Sequence, residues 1–174
     1  MQTIYRKKEY DVRKKGGCSL QVSILASGSK GNSVYVELDG ARILIDAGIS
    51  AARITKGLRA RGVEPQSLDA VLVTHEHIDH VRGLRTLAKQ YHVPILATQG
   101  TLAGIDGGAS FAEDMHRISE DFTVGAVTVR PFPISHDAAE PCGFRLEGSH
   151  CCTLATDLGV VTETVQDAME GERA

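Results

Sequence analysis

A short apolar run, Ala70 to Val73, passes through Thr74 into His75-Glu76-His77-Ile78-Asp79-His80. No other segment restricts the chain so strongly. Imidazole and carboxylate are the usual ligands for zinc and similar borderline ions. In an extended segment, residues two apart face the same way, so His75 and His77 can hold one ion between them. A tight turn onto a following helix then turns Asp79 and His80 toward a second ion. A fold that uses this run must end a rigid buried strand there and leave the loop beyond it open.

The rest of the chain supplies such a frame. Leu20 to Ala26, Ser33 to Leu38 and Ala41 to Ile45 read as strands, with Asp39-Gly40 as a hairpin signal. Ser50 caps a helix expected to run to about Arg61, with Gly62 as its stop. Ala70 to Val73 is a buried-type strand, and Leu84, Leu87 and Ala88 give helical spacing to 81–91. Ile95 to Ala97 is a short strand, and a short helix is placed near Thr101 to Ile105. Val124 to Phe132, Gly143 to Glu147 and Cys151 to Ala155 read as three further strands, and 160–169 as a helix. Strands come first and then alternate with helices, which points to an α/β chain of sheet layers flanked by helices.

Two more groups stand at strand ends. His136 follows an apolar strand in Pro133-Ile134-Ser135-His136-Asp137, and Asp157 follows another in Leu154-Ala155-Thr156-Asp157-Leu158-Gly159. Both join the histidine run as candidate ligands.

The joint pattern, H-x-H-x-D-H with a distant His and a distant Asp, resembles that of the metallo-β-lactamase fold. More narrowly, the chain resembles the YycJ/WalJ group of that superfamily. The matching segments are Leu25 to Ser33, Leu44 to Gly48, Thr74 to His80 with Gly83-Leu84, Ser135 to Pro141, and Thr156 to Gly159. The resemblance implies a four-layer αββα sandwich of two similar halves, the second incomplete in this chain. It implies that His75, His77 and His136 hold one metal, that Asp79 and His80 hold another, and that Asp157 bridges the two. A final histidine that the family takes from a C-terminal segment has no match here. His150, in a turn beside Gly148, is a poor substitute, and His92 and His116 read as ordinary polar residues. An incomplete second sheet would leave edge strands and apolar faces uncovered, which a homodimer could cover.

The same resemblance implies a metal-dependent hydrolase, a phosphodiesterase acting on DNA as an exonuclease. Its cofactor would be two divalent ions, zinc first, with manganese or iron as alternatives. Asp79 would orient the attacking water and take its proton. A β-lactamase of this superfamily uses Cys where Asp157 stands, and oxygen-reducing di-iron members use Glu where His77 stands. Asp157 together with His80 favours phosphodiester or thioester hydrolysis. The alternatives are a hydrolase of small thioesters or phosphoesters, and a metal-binding module without turnover. Asp46 and the backbone at Ser135 are either supports that orient imidazoles or, for Asp46, a turn cap. The Gly-rich loop with Ser27, Ser29 and Asn32 either offers amides and hydroxyls to a phosphate or is a plain hairpin connection.

Charge divides the chain. The first fifteen residues hold six basic and two acidic side chains, and the other residues carry a net charge of −7. Residues 1–17 therefore read as a basic disordered leader before a partial domain at 18–174. An acidic body does not advertise nucleic-acid binding, although bound cations would offset it locally. No apolar run approaches the roughly 20 residues of a membrane span, so a cytoplasmic protein is expected. Cys18, Cys142, Cys151 and Cys152 form no C-x-x-C pair and read as buried free thiols.

Overall fold

The computed structural model describes residues 19–170, so the expected leader at 1–17 and Cys18 lie outside the described residues. Six strands form one sheet in chain order: Leu20–Ala26 (β1), Ser33–Leu38 (β2), Ala41–Ile45 (β3), Ala70–Leu72 (β4), Ile95–Ala97 (β5) and Met115–Arg117 (β6). Pairing is antiparallel from β1 to β3 and parallel from β3 to β6. A second, antiparallel sheet holds Phe122–Val124 (β7), Val127–Pro133 (β8), Cys142–Glu147 (β9) and Cys151–Leu154 (β10), in the order β10-β9-β8-β7. The helices are Ala51–Arg59 (α1), Ile78–Val81 (α2), Leu84–Tyr91 (α3), Gln99–Gly104 (α4) and Glu163–Glu170 (α5).

Alternation along the strands creates the layers. Val34, Val36 and Leu38 of β2, Ile43 and Ile45 of β3, and Ala70 and Leu72 of β4 point one way. They meet Val127, Val129, Phe144 and Leu146 of the second sheet in a shared core. The intervening Tyr35, Leu44 and Val71 point the other way and pack under Ile54 and Leu58 of α1 and Leu84 and Leu87 of α3. The outer face of the second sheet offers Phe132, which packs with Ile134 beneath Val165 of α5. The result is the expected αββα sandwich. Each fully buried Leu, Ile or Phe contributes roughly 1.5–3 kcal/mol, so both faces of the first sheet carry stability.

Several boundaries differ from the sequence reading. The helix expected over 81–91 begins earlier, at Ile78, and breaks at Arg82-Gly83 into α2 and α3. The Gly83 amide donates to the Ala47 carbonyl at 2.7 Å, outside the helical ladder, and a Cβ on Gly83 would overlap the Ile49 carbonyl oxygen. The single strand expected over 124–132 is a hairpin, with Val124 paired to Val127 around Gly125-Ala126. Gly125 takes a φ of 57°, which glycine adopts freely. The edge strand β6 was not foreseen. Ser50 caps α1 by accepting from the Arg53 amide, but the helix ends at Arg59. Cys142 is buried as expected, whereas Cys151 is exposed. Among the described residues no helix is long and apolar enough to cross a membrane.

Candidate metal centre

The expected ligands come from three different strand ends. His75 follows β4, His77 caps the N-terminus of α2, and Asp79 and His80 lie in its first turn. His136 follows β8 and Asp157 follows β10. The structure gathers them. Ligand atoms of His75, His77 and His136 lie within 4.8 Å of one another, and so do those of His75, His80 and Asp157. His75 is common to both trios. Asp79 belongs to neither, but its Oδ2 is 3.7 Å from His80 Nε2.

Three loops are laced together to achieve this. The Asn32 amide donates to the Asp79 carbonyl, the Ala47 amide to the His80 carbonyl, and the Gly83 amide to the Ala47 carbonyl, each at 2.7 Å. Asp46 and Asp157 take φ values of 60° and 53°. That left-handed region is uncommon for non-glycine residues, with Asp among the better tolerated, and such outliers cluster at functional sites.

The Asp46 carboxylate faces an imidazole. Asp46 is buried, and its carboxylate accepts from the Thr74 amide at 2.8 Å and from the Thr74 hydroxyl at 2.9 Å. His80 Nδ1 stands 2.7 Å from Asp46 Oδ2. A proton on Nδ1 shared with Asp46 directs Nε2 toward Asp157 Oδ2, 2.8 Å away. Burial pulls the His80 pKa down, but Asp46, its hydrogen bond, Asp157 and Asp79 outweigh burial and raise it. A cation held by Nε2 and Asp157 would take the place of that second proton.

His75 has the opposite character. Burial, followed by the neighbouring His80, His136 and His77, pushes its pKa down to about 2, so it is neutral. Its Nδ1 lies 3.0 Å from the Thr74 hydroxyl. With that hydroxyl donating to Asp46, Nδ1 carries the proton and Nε2 keeps a lone pair. His75 Nε2 is buried and has no hydrogen-bond partner. An orphaned imidazole nitrogen facing two ligand groups fits a metal. The spacing fits as well: nitrogens about 2.0–2.1 Å from a tetrahedral zinc lie about 3.3 Å apart, and His77 Nδ1 and His136 Nε2 are 3.2 Å apart.

Thr74 was missed as a functional residue. Its signal was a polar side chain ending an apolar strand directly before the histidine run. Asn32 was placed in a loop read either as a phosphate cradle or as a plain hairpin connection; it is buried and turned inward. Its Nδ2 reaches His80 Nε2 at 3.0 Å and Asp79 Oδ2 at 3.4 Å. Ser27 and Ser29 are exposed in the same loop. The Ser135 carbonyl accepts from the Gly159 amide at 2.7 Å, so it ties the His136 loop to the Asp157 loop rather than orienting an imidazole. His150 lies in the β9–β10 turn, where Ser149 bonds to Asp39, and belongs to neither trio. His92, Glu113 and Asp114 form a third cluster, unforeseen from sequence, with His92 66% and Glu113 79% exposed. Solvent weakens such surface pairs.

Asp46→Asn retains shape but replaces one acceptor with a donor. The expected result is metal affinity weaker by about 10–100-fold, measured by competition with a chromophoric chelator.

A four-layer αββα sandwich whose strand ends converge on a histidine and aspartate cluster defines the metallo-β-lactamase fold class. A B3 metallo-β-lactamase with an active-site glutamic acid superposes with a TM-score of 0.61 at 15% identity, covering 86% of this chain and 68% of that one. The chain belongs to the β-lactamase superfamily domain family, whose sequence model matches residues 41–173. The fold implies divalent metal ions. Among its relatives, exodeoxyribonuclease WalJ of Streptococcus pneumoniae is 34% identical over 155 residues, 85% of this chain. Exodeoxyribonuclease YycJ of Bacillus anthracis is 32% identical over 163 residues, 89% of this chain. The chain spans 58% and 61% of the lengths of these two relatives.

Proposed function

We propose that the protein is a metal-dependent phosphodiesterase acting on DNA. The observation that carries this reading is the orphaned His75 Nε2 among His77 and His136, with His80 and Asp157 gathered beside it. His75, His77 and His136 would hold one divalent ion, and Asp79, His80 and Asp157 would complete a second position, with zinc the favoured metal. When bound, the ions would supply Lewis-acid polarisation of the phosphodiester and a water activated at neutral pH. Asp46 holds His80 by its Nδ1, and Thr74 holds His75 in the same way. Asp79, steadied by Asn32, orients the attacking water and accepts its proton.

DNA as substrate rests on the exodeoxyribonuclease relatives and on a cavity of about 370 Å3 beside His77. Its lining includes Glu76, Ile78, Arg82, Arg85, Asp106 and Phe111. That volume suits a single nucleotide, not a duplex. Arg82 and Arg85 are exposed and have no ion pair or side-chain hydrogen bond among the described residues. They are available for strand phosphates, whereas the Glu76 carboxylate is engaged by the Ala139 amide.

The test is release of nucleotides from 5′-phosphorylated DNA with added Mn2+ or Zn2+. Cleavage that stops with a chelator is expected, and no cleavage by metal-loaded protein overturns the reading. Binding of a labelled single strand adds a second measure. Each phosphate that the protein no longer neutralises lowers the slope of log affinity against log salt by about 0.7. The Arg82→Ala/Arg85→Ala double variant is therefore expected to show a slope shallower by about 1.4.

A further inference from the structure

His77 and His136 approach to 3.2 Å, yet they are held by different sheets. One backbone bond, from the Cys142 amide to the Thr74 carbonyl, crosses between the strand ends directly. Further connections run through Glu76 and through α4. Gly100 and Gly104 are four residues apart, so they share one face of that helix. A Cβ on Gly104 would stand 2.5 Å from Glu76 Cγ and 2.9 Å from Glu76 Cβ. A Cβ on Gly100 would stand 2.7 Å from Glu140 Cβ and 3.2 Å from the Ala139 carbonyl carbon. These are atoms close to the backbone and cannot swing aside cheaply.

Both glutamates are tied to the ligand loops. Glu76 lies between His75 and His77, and its Oε1 accepts from the Ala139 amide at 2.8 Å, three residues after His136. Glu140 Oε2 accepts from the Gly100 amide at 2.7 Å. The Glu140 carbonyl accepts from the hydroxyls of Thr98 at 2.7 Å and Thr101 at 3.3 Å. The 136–141 loop thus hangs from α4 at Glu140 and from the histidine run at Glu76. Neither Gly100 nor Gly104 has a positive φ, so backbone conformation does not call for glycine at either position.

We propose that the glycine face of α4 is a brace that sets the separation of His77 and His136, with Glu76 and Glu140 as positioning residues. The inference rests on the metal-centre reading above. It assigns no contact with substrate to either glutamate.

Titration with Co2+, followed by its visible d–d bands, tests the brace without recourse to turnover. Gly100→Ala and Gly104→Ala are expected to weaken Co2+ binding at least 10-fold and to change the band pattern. Glu76→Ala is expected to do the same, whereas Glu76→Gln, which retains an acceptor for the Ala139 amide, binds within about 3-fold of the unsubstituted protein. The metal-free variants are compared by circular dichroism. Should a glycine variant fail to fold, the Glu76→Ala and Glu76→Gln pair decides alone. Variants that bind Co2+ with unchanged affinity and spectrum overturn the brace. An unsubstituted protein that takes up no Co2+ overturns the metal centre itself, which is a separate result.

Discussion

Replacing His75 with alanine is expected to cost the protein both ions and its turnover together. His75 is the one residue common to the two trios, and although its Nε2 can bind only one ion, its ring packs against His77, His136 and His80, so its loss disturbs both positions. Its Nε2 is buried without a partner, and such a group costs roughly 1–3 kcal/mol to leave unsatisfied. A side chain retained at that cost in the metal-free fold is held for what it binds. His136→Ala should be different in kind. His136 belongs to one trio only, so the position near His80 and Asp157 survives. The measurement is metal content per chain after desalting, paired with the rate of DNA cleavage. For His75→Ala the rate should fall well beyond the roughly 10–100-fold typical of outer-shell changes, and no tightly held ion should remain. An unchanged metal content in His75→Ala would contradict the central place of His75 in the cluster.

Gly48→Ala is expected to produce the largest structural effect. A Cβ there would overlap the Asp79 carbonyl oxygen and stand 2.6 Å from the Asn32 nitrogen. Both atoms belong to backbone, and they are joined to each other by a 2.7 Å hydrogen bond. The added methyl cannot be absorbed by a rotamer change. It must push the start of α2 away from the loop after β3, and Asp79 and His80 move with it. Forcing extra carbon into a packed site costs typically about 1–3 kcal/mol. Here, with backbone on both sides, the upper end or more is expected, read as a lowered midpoint in urea unfolding. Metal affinity should fall in the same variant. A fully stable Gly48→Ala protein would show that the loops are less tightly laced than described.

The readable parts of the fold are those set by short-range rules. Alternation assigned Val34, Val36 and Leu38 to one side of β2 and Tyr35 to the other. Asp39-Gly40 has positive φ at both positions, 49° and 86°, as the two-residue hairpin signal requires. Ser50 marked the start of α1. The metal cluster was legible because its residue types are costly to bring together for any other purpose. The unreadable parts depend on distant backbone. Nothing local in Val81 to Tyr91 shows that the Gly83 amide donates to the Ala47 carbonyl and leaves the helical ladder. Gly125-Ala126 hides a turn inside an apolar run. β6 is short and largely polar, and it pairs only because β5 offers an edge. The inward turn of Asn32 and the placing of Thr74 between two histidines arise from loops that meet only in the folded molecule.

The central claim is that this chain's own residues build a metal centre from three strand ends. Anomalous diffraction at the zinc edge from crystals of zinc-loaded protein tests it most directly. The expected result is one peak within bonding distance of His75, His77 and His136, and a second beside Asp79, His80 and Asp157. Crystals of loaded protein with no anomalous peak among these six side chains would contradict the account.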